Sequence, residues 1–130
     1  MTPQVQEVFE PWQHGDCARA VIASLLDLPI AEVPNFAALA TEGNGFWNMT
    51  YDWLEARGLE FLPQVSLVYY WRPGDPDLYH YMMGPSPRGE GIYHAVVGLN
   101  GVPYFDPHPS RAMLAGEPSQ WQISIVRKAK

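Results

Sequence analysis

Three separated residues have the chemical types of a nucleophilic site. Cys17 is the only cysteine of the 130-residue chain and follows Asp16, where a helix is predicted to begin. His94 lies in "YHAVVGL", and Asp106 lies in "YFDP". The positive end of a helix and a nearby imidazole both favour the reactive thiolate, and a carboxylate can orient the imidazole through its other ring nitrogen. The three residues are therefore candidates for cysteine-based catalysis.

The helix that would position Cys17 is predicted over Asp16–Leu28. Asp16 is predicted to be the N-cap, because its carboxylate can accept hydrogen bonds from amides of the first turn. Pro29 is predicted to end the helix. The apolar residues follow a helical stripe, at Ala18, Val21, Ile22, Leu25, Leu26 and Leu28.

The element that would position His94 and Asp106 is a hairpin. Asn100-Gly101 is the dipeptide favoured by a two-residue type I′ turn, between "IYHAVVGL" and "VPYFD". If Leu99 faces Val102, successive pairs place Asp106 opposite Ala95, next to His94. Because side chains alternate between faces, the carboxylate would reach the imidazole only where the strand bends or ends at Pro107.

The remaining patterns predict one domain, residues 1–130, of the α+β class. A second helix is predicted from about Phe46 to Arg57, with Gly58 after it. Strands are predicted at Gln64–Trp71, in "LYHYMMG" and in "WQISIV". Helices that precede a run of strands predict N-terminal helices packed on an antiparallel β-sheet.

Two segments of the chain resemble papain-like cysteine peptidases. "DCARAVIASLL" and "YHAVVGLNGVPYFDP" are similar to the bacteriocin-leader peptidases of ABC exporters, which carry Asp-Cys at a helix start, His before apolar residues, and Asp-Pro. Short phage and bacterial proteins are nearer still, since they join a Cys helix ending "SLL-x-LP-x-x-x-VP" to a tail reading "SPRG…HAVV…DPHPS". The resemblance covers about residues 12–34 and 84–110. It implies a minimal papain-like fold with Cys17 as nucleophile, His94 as general base and Asp106 as its orienter.

The resemblance also bears on the residues that would hold the substrate. Papain-like enzymes carry a Gln about five or six residues before the Cys, whereas Gln13 stands four residues before Cys17. Gln13 is the candidate side-chain donor to an oxyanion, beside the backbone amide of Cys17. An Arg guanidinium suits a carboxylate or a phosphate, and aromatic residues can wall a cleft. The candidate substrate-binding residues are Trp12, Trp47, Arg88 and His108.

Composition limits the partners. A net charge of −6, with no basic run beyond "RKAK", predicts no nucleic-acid partner. No apolar window approaches the ~18 residues of a membrane span, and the first twelve residues lack a signal-peptide pattern. One cysteine cannot form an internal disulfide, which favours the cytoplasm. His80, His94, His108 and Asp106 lack zinc-site spacing, so we expect no metal and no organic cofactor.

These observations predict a cysteine-dependent amide-bond hydrolase, of the thiol protease kind, acting on a peptide or another amide. The sequence does not decide whether the acyl group passes to water or to an amine, and two alternative functions stay open. An NlpC-type cell-wall amidase also uses a helix Cys and a strand His. A non-catalytic papain-fold binding protein in phage or bacterial conflict would fit the unusual spacing of Gln13.

Overall fold

The described part of the chain is an antiparallel sheet with helices packed on it. The computed structural model describes residues 1–8, 16–39 and 45–129. Within them, the helices are α1 (Cys17–Leu25), α2 (Phe36–Leu39) and α3 (Gly45–Ala56). The strands are β1 (Leu59–Leu62), β2 (Tyr79–Pro85), β3 (Tyr93–Leu99), β4 (Val102–Phe105) and β5 (Gln122–Lys128). Their order in the sheet is β1-β5-β2-β3-β4, and the prediction of an α+β fold is confirmed.

Helix α1 carries the centre of the hydrophobic core. Val21 and Ile22 are fully buried, and α1 packs on β3 and β2, where Ala95 and Val97 belong to the same core. Burying each such aliphatic side chain contributes about 1.5–3 kcal/mol. Cys17, as the first residue of α1, therefore begins the most firmly packed helix in the described part of the chain.

The end of α1 comes earlier than the sequence pattern predicts. Asp27 adopts a left-handed conformation (φ 59°), and its N–H donates to the Ser24 carbonyl while the N–H of Leu28 donates to the Ala23 carbonyl. These two bonds form a Schellman motif, which ends a helix. Here it ends α1 although the apolar pattern continues to Leu28. The predicted end at Leu28 is therefore wrong by three residues, since α1 ends at Leu25.

The strand predicted at Gln64–Trp71 is wrong. Leu67–Tyr69 forms a single 3₁₀ turn, and the N–H groups of Tyr70 and Trp71 both donate to the Leu67 carbonyl. Tyr69 is 82% exposed. Its side chain therefore lacks the packing against neighbours that favours aromatic residues in strands. The place between β1 and β2 is taken by β5 instead.

The hairpin of β3 and β4 contains a bulge that the sequence did not predict. Asn100 and Gly101 have the positive φ values (52° and 92°) of the expected two-residue turn. Leu99 pairs with Val102 and Gly98 with Pro103, as predicted, but Phe105 then pairs with Val97. One additional residue, Tyr104, thus enters β4, and the predicted register is wrong beyond Gly98.

His80 of β2 supports this turn from inside the protein. It is fully buried, its Nε2 accepts the N–H of Gly101 at 3.0 Å, and its Nδ1 lies 3.2 Å from the Tyr81 carbonyl oxygen. Gly98 lies against the His80 ring so closely that a Cβ there would overlap the imidazole. His80 therefore has a structural role, and the glycine provides its space.

The N-terminal arm, residues 1–8, crosses from α1 to the end of the hairpin. The N–H of Gln4 donates to Ser24 Oγ at 2.8 Å, and the N–H of Gln6 donates to the Pro107 carbonyl at 3.1 Å. The arm thus connects the helix that carries Cys17 with the segment that carries Asp106.

In the ranges that the structure describes, no single helix is long and apolar enough to cross a membrane. Cys17–Leu25 and Ile30–Leu39 satisfy the length and composition requirements only together, as a pair bent by 105°.

Candidate active site

Cys17 lies at the start of α1 on the wall of a cavity. The thiol is free and partly exposed. The cavity measures about 290 Å³ and is also lined by His94, Trp47, Tyr81 and Met83. The thiol and the imidazole therefore face the same space, which is open to a ligand.

Asp16 does not cap α1 in the way that the sequence predicts. Its carboxylate accepts no capping hydrogen bond from the backbone amides of the first turn. It accepts the N–H groups of Glu7 and Val8, both at 2.9 Å, and forms an ion pair with Arg19 at 3.3 Å. The buried Asp16 therefore fastens the N-terminal arm beside Cys17, because two backbone amides and a guanidinium all converge on it.

His94 joins the thiol to a buried carboxylate. Its Nε2 lies 2.7 Å from Asp106 Oδ1, and the two side chains are 5% and 0% exposed. Burial by itself lowers the pKa of His94, but hydrogen bonding to Asp106 and to Cys17, together with the charges of both groups, raises the pKa to about 9. Because Asp106 occupies Nε2, Nδ1 is the ring nitrogen left for the Cys17 thiol. At neutral pH the imidazole is therefore protonated.

Asp106 is held by a shell of donors. Its carboxylate accepts the backbone N–H of His108 at 2.9 Å and that of Met113 at 2.8 Å, and Arg88 Nη1 lies 3.8 Å away. Burial raises the pKa of Asp106, but the bonds from His94, His108 and Met113 outweigh it and lower the pKa overall. The loop after β4 thus fixes an ionised carboxylate behind the imidazole.

The bulge in β4 explains how Asp106 reaches His94. In the predicted register, Asp106 would lie opposite Ala95 and project to the other face of the hairpin. Beyond the Phe105–Val97 pair, the shifted register brings Asp106 level with Val96. Residues two apart on a strand share a face, so Val96 and His94 project the same way and Asp106 joins them. The extra residue is what allows the 2.7 Å contact.

Arg88 and His108, predicted to bind substrate, lie behind the imidazole and not on the cavity of Cys17. Arg88 Nη1 donates to Ser110 Oγ at 3.1 Å, and His108 Nδ1 lies 2.9 Å from the same oxygen. The His108 and His94 rings meet edge to face, with centroids 6.4 Å apart. Burial lowers the pKa of His108, and the charge of Arg88 lowers it further. Both residues therefore lie next to Asp106, on the side of His94 away from the thiol.

The other predicted substrate residues have different outcomes. Trp47 lines the cavity, as expected of a cleft residue. Trp12 and Gln13 lie outside the described residues, so their roles stay predictions. Met83 was missed by the sequence reasoning, although it stands two positions after Tyr81 on β2, and this spacing puts both side chains on one face.

Among the residues that the structure describes, no group of three or more His, Cys, Asp or Glu side chains could hold a metal ion.

Comparison of the chain with protein-family models, with curated proteins and with solved structures found no match.

Proposed function

We propose that this protein is a cysteine-dependent amide-bond hydrolase of the papain-like kind. The observation that carries the proposal is the position of the partly exposed Cys17 on the same cavity as His94, whose imidazole is paired with the buried Asp106. A nucleophile, a base and an orienting carboxylate in hydrogen-bond reach of one another are the signature of covalent catalysis.

In the proposed reaction the attacking species is the thiolate of Cys17, and its partner is the protonated imidazole of His94. Cys17 Sγ attacks the carbonyl carbon of the amide, and the carbonyl oxygen takes the negative charge. As the C–N bond breaks, His94 gives its proton to the departing amine, which leaves a thioester on Cys17. His94 then takes a proton from water, the hydroxide attacks the thioester, and the acid is released as the thiolate forms again.

The start of α1 supplies a donor for the oxyanion. The first N–H groups of a helix have no acceptor within that helix, and the amide of Cys17 is the one nearest to the sulfur. Asp16 does not use these amides, because its carboxylate turns toward the N-terminal arm. Gln13 is the proposed second donor.

A peptide or a related amide is the proposed substrate, and the cytoplasm is the proposed compartment. The single free thiol supports this location, because a reducing environment keeps such a group available for reaction.

Alkylation by iodoacetamide at pH 7 tests the activation of the thiol. We expect Cys17 to react at least about tenfold faster than free cysteine, because a paired thiolate is the reacting species. His94→Ala should abolish this excess, whereas Asp52→Asn, which changes an exposed carboxylate on α3, should not. A Cys17 that reacts only after denaturation would overturn the proposal.

Hydrolysis of a peptide library and of peptidoglycan fragments tests the reaction itself, with Cys17→Ala as the blank. Cleavage of peptides that is lost in Cys17→Ala supports a peptidase, and cleavage restricted to the wall fragments shows a wall amidase instead. Rapid alkylation without cleavage of either set would contradict a hydrolase and favour a binding protein.

A further inference from the structure

A second and larger cavity adjoins the one that contains Cys17. It measures about 400 Å³, within the range of small-molecule sites. Trp47, Tyr81 and Met83 line both cavities, so these side chains form a wall that the two cavities share. The remaining residues of its lining come from α3, β1, the segment after β1, and β5: Tyr51, Phe61, Pro63, Gln64, Gln122 and Ser124.

One side of the second cavity is aromatic. The Trp47 ring is stacked on Tyr51 at 6.0 Å between centroids. Phe61 lies 5.3 Å from Trp47 and 5.3 Å from Tyr81, in tilted and edge-to-face arrangements. Such a wall offers ring faces and edges to a further aromatic ring, a contact worth more than the area that it buries.

The other side is polar but uncharged. Gln64, Gln122 and Ser124 lie there, and no Asp, Glu, Lys, Arg or His is among the described lining residues. Gln64 holds a left-handed conformation (φ 51°), and its N–H donates to Ser124 Oγ at 3.2 Å. A charged ligand group would lose its water here without gaining a counter-ion, whereas a phenol or an uncharged ring would find amide and hydroxyl partners.

We propose that the second cavity is a specificity pocket for an uncharged aromatic side chain of the substrate, with tyrosine favoured, beside the bond that Cys17 attacks. This inference rests on the proposed function for its catalytic meaning, but the binding that it requires does not depend on catalysis. The shared wall gives the reason: a substrate whose backbone is held at the thiol can pass over these residues and place a neighbouring side chain in the second cavity.

The pocket is tested by binding to the 130-residue protein with the substitution Cys17→Ala. N-acetyl amides of tyrosine, phenylalanine, leucine, aspartate and lysine are titrated while protein NMR shifts are followed. We expect the tyrosine and phenylalanine amides to bind at least about tenfold more tightly than the aspartate and lysine amides, the size of effect that pocket contacts give. Equal affinity across the set would overturn the proposal.

A charge placed in the pocket separates this site from nonspecific aromatic binding. In the Cys17→Ala background, Gln122→Glu should weaken binding of the tyrosine amide and strengthen binding of the lysine amide, because the new carboxylate would pair with the ammonium. Asn48→Asp adds the same charge at an exposed position of α3, so it is the matched control and should change neither affinity. A change of preference in the control, or none in Gln122→Glu, would contradict the site.

The two proposals fail in different ways. If the aromatic amides bind preferentially and Gln122→Glu changes that preference, but the wild-type protein hydrolyses no amide, the pocket is supported and the hydrolase is contradicted. Hydrolysis that depends on Cys17 but shows no aromatic preference supports the hydrolase and removes the pocket.

Discussion

Two histidines show how partners, more than burial, decide a side chain's charge. His80 and His94 are both buried, at 0% and 4% exposure. Burial lowers the pKa of His80, whose partners are backbone groups and not a charged side chain. Burial also lowers the pKa of His94, but Asp106 and Cys17 outweigh it and raise the pKa to about 9. The histidine that carries a proton at neutral pH is therefore His94, which interacts with Asp106 and Cys17.

Asp106→Asn should lower the pKa of His94 toward its ordinary value near 6.5, because the variant loses the negative charge that holds the proton. An NMR titration of the His94 ring checks this, with about 9 expected in the wild type. Asp52→Asn, on the exposed side of α3, should leave the titration unchanged. A wild-type His94 that titrates near 6.5 would contradict the assignment.

Among the elements, the hairpin shows most clearly where local sequence stops being sufficient. Asn100-Gly101 fixes the turn because both residues adopt positive φ. Nothing local marks the extra residue at Tyr104, two positions from Asp106, that moves the carboxylate to the face of His94. The geometry of the site is therefore set by a register change, and the turn alone would have separated the pair.

Deletion of Tyr104 should restore the uninterrupted register and move Asp106 away from His94. We expect the pKa of His94 to fall and the alkylation of Cys17 to slow. Tyr104→Ala keeps the chain length and should retain both properties, so it is the matched control. A deletion variant that folds with the high pKa of His94 intact would show that the bulge does not position Asp106.

Gly98→Ala should destabilise the protein by about 1–3 kcal/mol, the usual cost of forcing an added methyl group into a packed interior. The clash is with His80, so the cost should shrink in a His80→Ala background. Urea unfolding of the four proteins of this double-mutant cycle measures the coupling. Additive effects would mean that the His80 ring is not the obstacle.

The features that could be predicted from the sequence are those that depend on residues close to one another in the chain. The candidates Cys17 and His94 and helix α3 followed from residue type, periodicity and turn chemistry. The second cavity could not be foreseen, because Gln122 and Ser124 reach it only when β5 lies between β1 and β2. The residues of the false strand at Gln64–Trp71 favour a strand, but the segment forms no strand of the sheet and contains a 3₁₀ turn at Leu67–Tyr69.

At the scale of the whole molecule, the charged pair at the site makes stability depend on pH. The folded-state pKa of His94 lies above its unfolded value, so its contribution is complete below about 6.5 and is lost as the pH rises through about 9. The folded-state pKa of Asp106 lies below its unfolded value, so its contribution is present above about pH 4 and is lost at lower pH.

The contribution of His94 to the free energy of unfolding should therefore fall between about pH 6.5 and 9. Urea titrations at several pH values measure the slope. His94→Gln should remove most of it, whereas Asp52→Asn, at an exposed position of α3, should keep it. A slope that survives His94→Gln would assign the pH dependence to other groups.

The place of β5 in the sheet has a consequence for synthesis. It follows every other strand in the chain, yet it pairs with both β1 and β2, so the sheet can close only after residues 122–128 have left the ribosome. Before that moment the edges of β1 and β2 are unpaired, a hazard for association between nascent chains. The pocket wall formed by Gln122 and Ser124 is missing as well. Cys17 and His94 are thus synthesised before the wall that β5 forms. The proposed substrate site is complete, and the proposed activity possible, only after β5 has been translated.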